Sequence, residues 1–156
     1  MLLKKNKYFI VAVVFFVIII FCGVLFFVKK NDYSEYGNRK GWILFGNSLF
    51  RIEIADSNKK RQLGLGKRKD MCEKCGMLFI FDDKQKRSFW MKDMEFPLDI
   101  IWIDGEKVVA MEENIPFDFS ETIKPSVAAD KVLELNAGTV KEFGVKIDDK
   151  IFFSIK

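Results

Sequence analysis

The chain has 156 residues, with 26 Lys+Arg against 22 Asp+Glu, 17 phenylalanines and no histidine. Without histidine there is no Ser-His-Asp or Cys-His nucleophile and no His-containing metal site, so any catalysis must run on carboxylates, lysine, tyrosine or thiolate. Seven of the 26 basic residues but only two of the 22 acidic ones fall within the first 40 positions. The rest is close to neutral and lacks the basic face of a nucleic-acid-binding domain, so no nucleic-acid partner is expected.

Tyr8 to Val28, "YFIVAVVFFVIIIFCGVLFFV", runs 21 residues without a charge. At about 1.5 Å per residue it spans roughly 30 Å, the hydrocarbon thickness of a bilayer. It is too long for a signal-peptide core and no small-residue cut site follows it, so residues 1–30 read as an N-terminal membrane anchor. Cys22 follows bulky Phe21, where lipidation would want a small residue, and reads as an apolar residue facing lipid. Lys4, Lys5 and Lys7 before the span balance Lys29, Lys30, Arg39 and Lys40 after it, so the positive-inside rule does not decide orientation. An anchor ahead of a folded domain points to a single-pass protein with that domain on the extracytoplasmic side. Residues 31–40 read as a polar linker at the membrane surface, and residues 41–156 as one domain, long enough for a single core.

Within that domain, short runs of Ile, Val, Phe and Trp separated by turn residues predict an all-β fold, a mainly antiparallel sandwich or jelly-roll-like barrel. Strands are expected near Trp42 to Phe45, Leu49 to Ala55, Met77 to Phe81, Ser88 to Met91, Leu98 to Asp104, Lys107 to Glu112, Lys131 to Asn136 and Lys150 to Ile155, with a tight hairpin at Asp104-Gly105. Two short helices are expected between them. One is capped by Asp56 or Ser57 and ends at Gly64; the other uses Thr139 and Glu142 as a capping box and stops at Gly144. The segment Asn114 to Asp130, with Pro116 and Pro125, is long enough to be a flap.

Along "CEKCG", Cys72 and Cys75 form a C-x-x-C that reads as a disulfide in an exported domain, a redox dithiol, or half of a metal site. A thioredoxin-like dithiol opens a helix, whereas this pair runs into the strand "GMLFIF"; a closed zinc site needs four ligands, and this domain has only these two cysteines. No metal site and no cofactor is expected. The basic run "NKKRQLGLGKRKD" around Arg61 reads as a solvated helical face or a contact for anionic groups.

In "SFWMK", alternation sends Phe89 and Met91 inward and leaves Trp90 and Lys92 on the other face. Trp90 is then either an aromatic platform for a sugar ring or planar group, or covered by a loop. In "LDIIWID", Asp99 shares a face with Ile101 and Ile103 and needs a partner, for which Lys92 or Arg61 is the candidate. Glu134 in "VLELN" alternates outward from Leu133 and Leu135 as a solvated or bridging carboxylate. Arg61, Trp90, Lys92, Asp99 and Glu134 are the candidate ligand-binding residues. Catalytic residues are not assignable. An Asp99–Glu134 pair acting on glycans is the alternative, and it requires the two carboxyls about 5 to 10 Å apart across one cleft.

Taken in order, "GLG" at Gly64 to Gly66, "GMLFIF" at Gly76 to Phe81, "FWMKDMEFPLDIIWI" at Phe89 to Ile103 and "VLELNAG" at Val132 to Gly138 resemble domain-of-unknown-function family 192 of bacteria and archaea. The resemblance implies a compact β domain, often behind an export signal or anchor, and implies no activity. This chain departs from it at Gly66, where the family has Met, and at Asp93-Met94, where it has Asn-Thr. Cys72 and Cys75 are not part of the pattern. The expected function is a membrane-anchored module that binds a ligand or protein of the cell envelope.

Overall fold

The computed structural model describes Ile18 and residues 34–45 and 48–155. Apart from Ile18, the expected anchor, with Cys22, and the start of the linker therefore lie outside the described residues. Among those residues, no helix is long and apolar enough to cross a membrane.

Among the described residues seven strands form one sheet: β1 (Arg39–Phe45), β2 (Ser48–Ala55), β3 (Cys75–Gln85), β4 (Leu98–Asp104), β5 (Lys107–Ile115), β6 (Ala129–Asn136) and β7 (Phe152–Ile155), in the spatial order β5-β4-β6-β3-β2-β1-β7. All neighbours pair antiparallel except β2 and β3, which run parallel. A parallel pair needs a crossover, and residues 56–74 supply it, including helix α1 (Asn58–Leu63). A second helix, α2 (Thr139–Phe143), follows β6. The described residues thus form an all-β fold with two short helices. It is a single sheet that curls, not two stacked ones: the edge strand β5 meets the segment before β7 through Val108 N–H to Asp149 O (2.9 Å) and Ile151 N–H to Glu106 O (2.8 Å).

Curling gives the sheet an inner and an outer face, and both are covered. Ile43, Phe50, Ile52, Leu78, Ile101, Ile103, Leu133 and Leu135 fill the inside. Met77, Phe79, Leu98, Ile100, Trp102 and Val132 form a second core on the outside, under Leu65, Met91, Phe96 and Ile123 from the connecting segments. The strand β4 lies between the two cores, so its first six residues are all buried.

Several local expectations are corrected. Ser88 to Met91 is not a strand: Phe89 alone forms a two-way bridge with Ile123 of the flap, at 2.9 and 2.8 Å, while its alternation holds, with Met91 buried and Trp90 and Lys92 exposed. At α2 the cap is Gly138 at φ 86, and Thr139 instead donates its hydroxyl to Asn136 O (2.6 Å), so no capping box forms. Ser57 occupies the cap position of α1 without a side-chain bond, and Asp56 pairs with Arg39 and Lys60. The body also starts earlier than position 41, since Asn38 is buried and Tyr36 stacks on Arg68.

Candidate functional site

Register across the outer face places Glu53 of β2 beside Met77 of β3, Met77 beside Glu134 of β6, and Glu134 beside Ile100 of β4. Two carboxylates therefore flank Met77 on this face. Arg68, only 6% exposed, reaches down from the 64–74 segment and holds Glu53 with both terminal nitrogens, at 2.8 and 2.9 Å. The Asn38 amide adds a third bond to Glu53 at 2.8 Å, and the Tyr36 ring stacks on the guanidinium at 3.8 Å. Burial works against ionisation of Glu53, but the Arg68 and Asn38 bonds outweigh it and hold its pKa below the usual carboxylate range.

Glu134 has no such support. It is 5% exposed, and its Oε2 has no hydrogen-bond partner among the described residues. Burial pushes its pKa up to about 8, against the pull of Arg68, so the carboxyl is mainly protonated at neutral pH. The expected outward orientation is overturned: strand alternation is obeyed, but β6 has protein on both sides, so "away from Leu133 and Leu135" means into the second core.

Asp99 is fully buried on the inner face and pairs with neither Lys92 nor Arg61. Its carboxylate accepts from three backbone N–H groups: Asn114 (2.7 Å), Gly138 (3.2 Å) and Val140 (2.8 Å). It thereby satisfies donors at the start of α2, a role that helices usually give to a local cap. Asp99 and Glu134 lie on opposite faces of the sheet, since Asp99 pairs with inward Leu135 and Glu134 with outward Ile100. They cannot flank one glycosidic bond, and the carboxylate-pair hydrolase loses its geometry.

Two of the candidate residues do come together. A cleft of about 610 Å³ opens between α1, the exposed end of β3 and the segment that follows it, lined by Arg61, Phe81, Arg87 and Trp90 among others. Trp90 is 61% exposed, the most of any large apolar side chain described, so no loop covers it. Arg61 and Arg87 both stack on Phe81, at 5.1 and 4.4 Å from the ring centre. Arg61 is fixed by Ile80 O (2.7 Å) and Asn58 (2.6 Å), and Arg87 pairs with Asp83, leaving its buried Nε without a partner among the described residues. Asn58, Gln62, Asp82, Gln85 and Ser88 complete a polar wall. Lys92 is exposed nearby in sequence but does not line this cleft. Arg87 and Phe81 were not singled out from sequence, because what selects them is a stacking order made by tertiary contact.

A second cleft, of about 770 Å³, is lined by residues 67–72, with Tyr36, Arg51, Arg68 and both cysteines in its wall. Cys72 and Cys75 form a disulfide at the entry to β3. No group of three or more Cys, Asp or Glu among the described residues is placed to hold a metal ion.

Comparison with curated proteins finds no match. Among solved structures, a protein of unknown function from Novosphingobium aromaticivorans DSM 12444 is 26% identical, over 77% of this chain and 89% of that one, with a TM-score of 0.69. A proposed transcription regulator from Sinorhizobium meliloti 1021 is 30% identical, over 73% of this chain and 92% of that one, with a TM-score of 0.67. The pattern of domain-of-unknown-function family 192, DUF192, described as "Uncharacterized ACR", matches residues 44–153, and the chain belongs to that family.

Proposed function

We propose that this protein is a membrane-tethered, extracytoplasmic binding module whose ligand is a glycan of the cell envelope, seated in the Trp90–Arg61 cleft. The observation that carries the reading is Trp90 itself. A tryptophan left 61% exposed at the rim of a cleft, while Phe89 and Met91 on either side pack inward, spends apolar surface on water instead of on the fold. An aromatic platform beside side-chain amides, carboxylates and guanidiniums is what recognition of a sugar ring requires: a flat apolar face for the C–H side of the ring and mixed donors and acceptors for its hydroxyls.

The apolar span before the domain supports tethering, and the Cys72–Cys75 disulfide supports an oxidising compartment. The regulator description of the Sinorhizobium protein is not carried over, because the domain as a whole is close to neutral and does not carry the net positive charge that nucleic-acid binding draws on. The test is co-sedimentation of the full chain, in mild detergent, with purified cell-wall polysaccharide. Wild type should sediment with the polysaccharide and Trp90→Ala should stay in solution with an unchanged circular dichroism spectrum. Equal sedimentation of the two would end this reading.

A further inference from the structure

Cys72 and Cys75 close a loop of only four residues, and stapling so short a loop removes little chain entropy from the unfolded state. The surroundings of the pair suit a different role. In parallel register beside Cys75 stands Arg51 of β2, whose terminal nitrogen lies 3.4 Å from the Cys75 sulfur and 3.6 Å from that of Cys72. Arg51 has no carboxylate partner among the described residues. Cys72 is exposed, and Cys75 is half-buried at the start of β3. The disulfide thus shows one sulfur to solvent and holds the other beside a fixed positive charge, where a helix dipole would act in a thioredoxin-like protein.

We propose that Cys72–Cys75 is an exchange-active disulfide that oxidises thiols carrying negative charge, with Arg51 stabilising the thiolate that leaves. The incoming thiolate attacks the exposed Cys72 sulfur, the Cys72–Cys75 bond breaks, and its electron pair departs on Cys75 beside the guanidinium. A second thiolate from the same class of molecule then attacks the substrate sulfur of the mixed disulfide, and Cys72 leaves as thiolate. Two substrate thiols become one disulfide, the protein pair becomes a dithiol, and the two substrate protons end on the cysteines or in solvent. Selectivity for anions comes from the cleft in which the pair sits. Lys40, Arg51, Lys67 and Lys69 line it without ion-pair partners among the described residues, against Glu35 and Asp70. That excess of positive charge raises the local concentration of an anionic thiol such as an acidic cysteine peptide.

The test follows reduction of the pair in the full chain, kept in mild detergent, by intact mass. The probes are 2-mercaptoethanesulfonate, which is anionic, and cysteamine, which is cationic, compared at equal thiolate concentration. The anionic probe should react faster on the order of 10-fold at low salt, with the preference collapsing at high salt. Arg51→Gln should slow both probes on the order of 10-fold, and Arg51→Lys should recover most of the rate, since a lysine keeps the charge. Arg51 is exposed, so both variants are expected to fold, which circular dichroism verifies. A folded Arg51→Gln that reacts as fast as wild type, a pair that resists both probes until the chain is denatured, or equal rates for the two probes at low salt would each overturn the proposal.

Discussion

Two buried carboxylates show how differently one side-chain chemistry can be used within a single sheet. Asp99 is matched to three backbone donors, so removing it orphans all three. An unsatisfied buried group costs about 1–3 kcal/mol, and with the Val140 donor buried and those of Asn114 and Gly138 part-buried, Asp99→Ala should lose on the order of 3 kcal/mol in chemical denaturation. A loss below about 1 kcal/mol would mean that water replaces the carboxylate there. Glu134 is the unmatched case. Because its folded pKa is raised to about 8 from an ordinary 4.5, the native state keeps a proton that the unfolded chain gives up. Its contribution to stability is therefore largest below pH 4.5, falls as pH rises through the window to 8, and is flat above that. The slope approaches about 1.4 kcal/mol per pH unit in mid-window. Glu134→Gln, which is neutral throughout, should remove that component from the stability–pH profile. Identical profiles for the two proteins would show that Glu134 is ionised in the native state.

At the scale of elements, the crowded seams lie where strands meet without side chains. Gly76 in β3 faces β6 so closely that an added Cβ would lie 2.7 Å from both Glu134 O and a Leu135 methyl. Gly76→Ala must therefore push β3 and β6 apart, and a destabilisation of about 1–3 kcal/mol, typical of overpacking, is expected from thermal or denaturant unfolding. An unchanged midpoint would mean that the seam is looser than the geometry shows. Gly138 serves a different need: at φ 86 it turns the chain out of β6 into α2 while presenting its N–H to Asp99. Gly66 and the 92–93 segment also meet at this scale, since the nearest atoms to a Cβ on Gly66 include the Asp93 Cβ at 3.6 Å and Lys92 O at 3.6 Å. A change in one segment is thus felt directly by the other.

These elements also show what a linear reading can reach. Alternation in "LDIIWID" assigned Leu98, Ile100 and Trp102 to one face and Ile101 and Ile103 to the other, and the two cores divide in that way. The same alternation misled at Glu134, because period-2 patterning separates two faces without saying that both are buried. The parallel pairing of β2 with β3 carried no local signal, since it depends on where a 19-residue crossover returns. The partners of Asp99 are backbone groups 15, 39 and 41 residues away, which leave no side-chain signature to read. The basic run that contains Arg68 reads as solvated in sequence, yet Arg68 is buried against Glu53 and Tyr36, because that meeting joins the stretch before β1 to the crossover, two segments that look like solvated loops.

For the molecule as a whole, the sheet supplies two cores that hold three irregular segments in place, and part of the lining of both clefts sits on those segments. Residues 64–74 carry Arg68 and Cys72, whose disulfide partner Cys75 opens β3; residues 86–97 carry Arg87 and Trp90, and the flap pins the latter through the Phe89–Ile123 bridge. A rigid body bearing function on its connections is the usual division of labour in small β domains. The most direct test of this account is paired: denaturant unfolding and cell-wall polysaccharide binding of Trp90→Ala and wild type, on the full chain in the same detergent. The two stabilities should differ by less than about 0.5 kcal/mol, as for an exposed surface change, with binding lost in the variant. A loss of several kcal/mol, about 3–5 for a core tryptophan, or binding that survives the substitution, would contradict it.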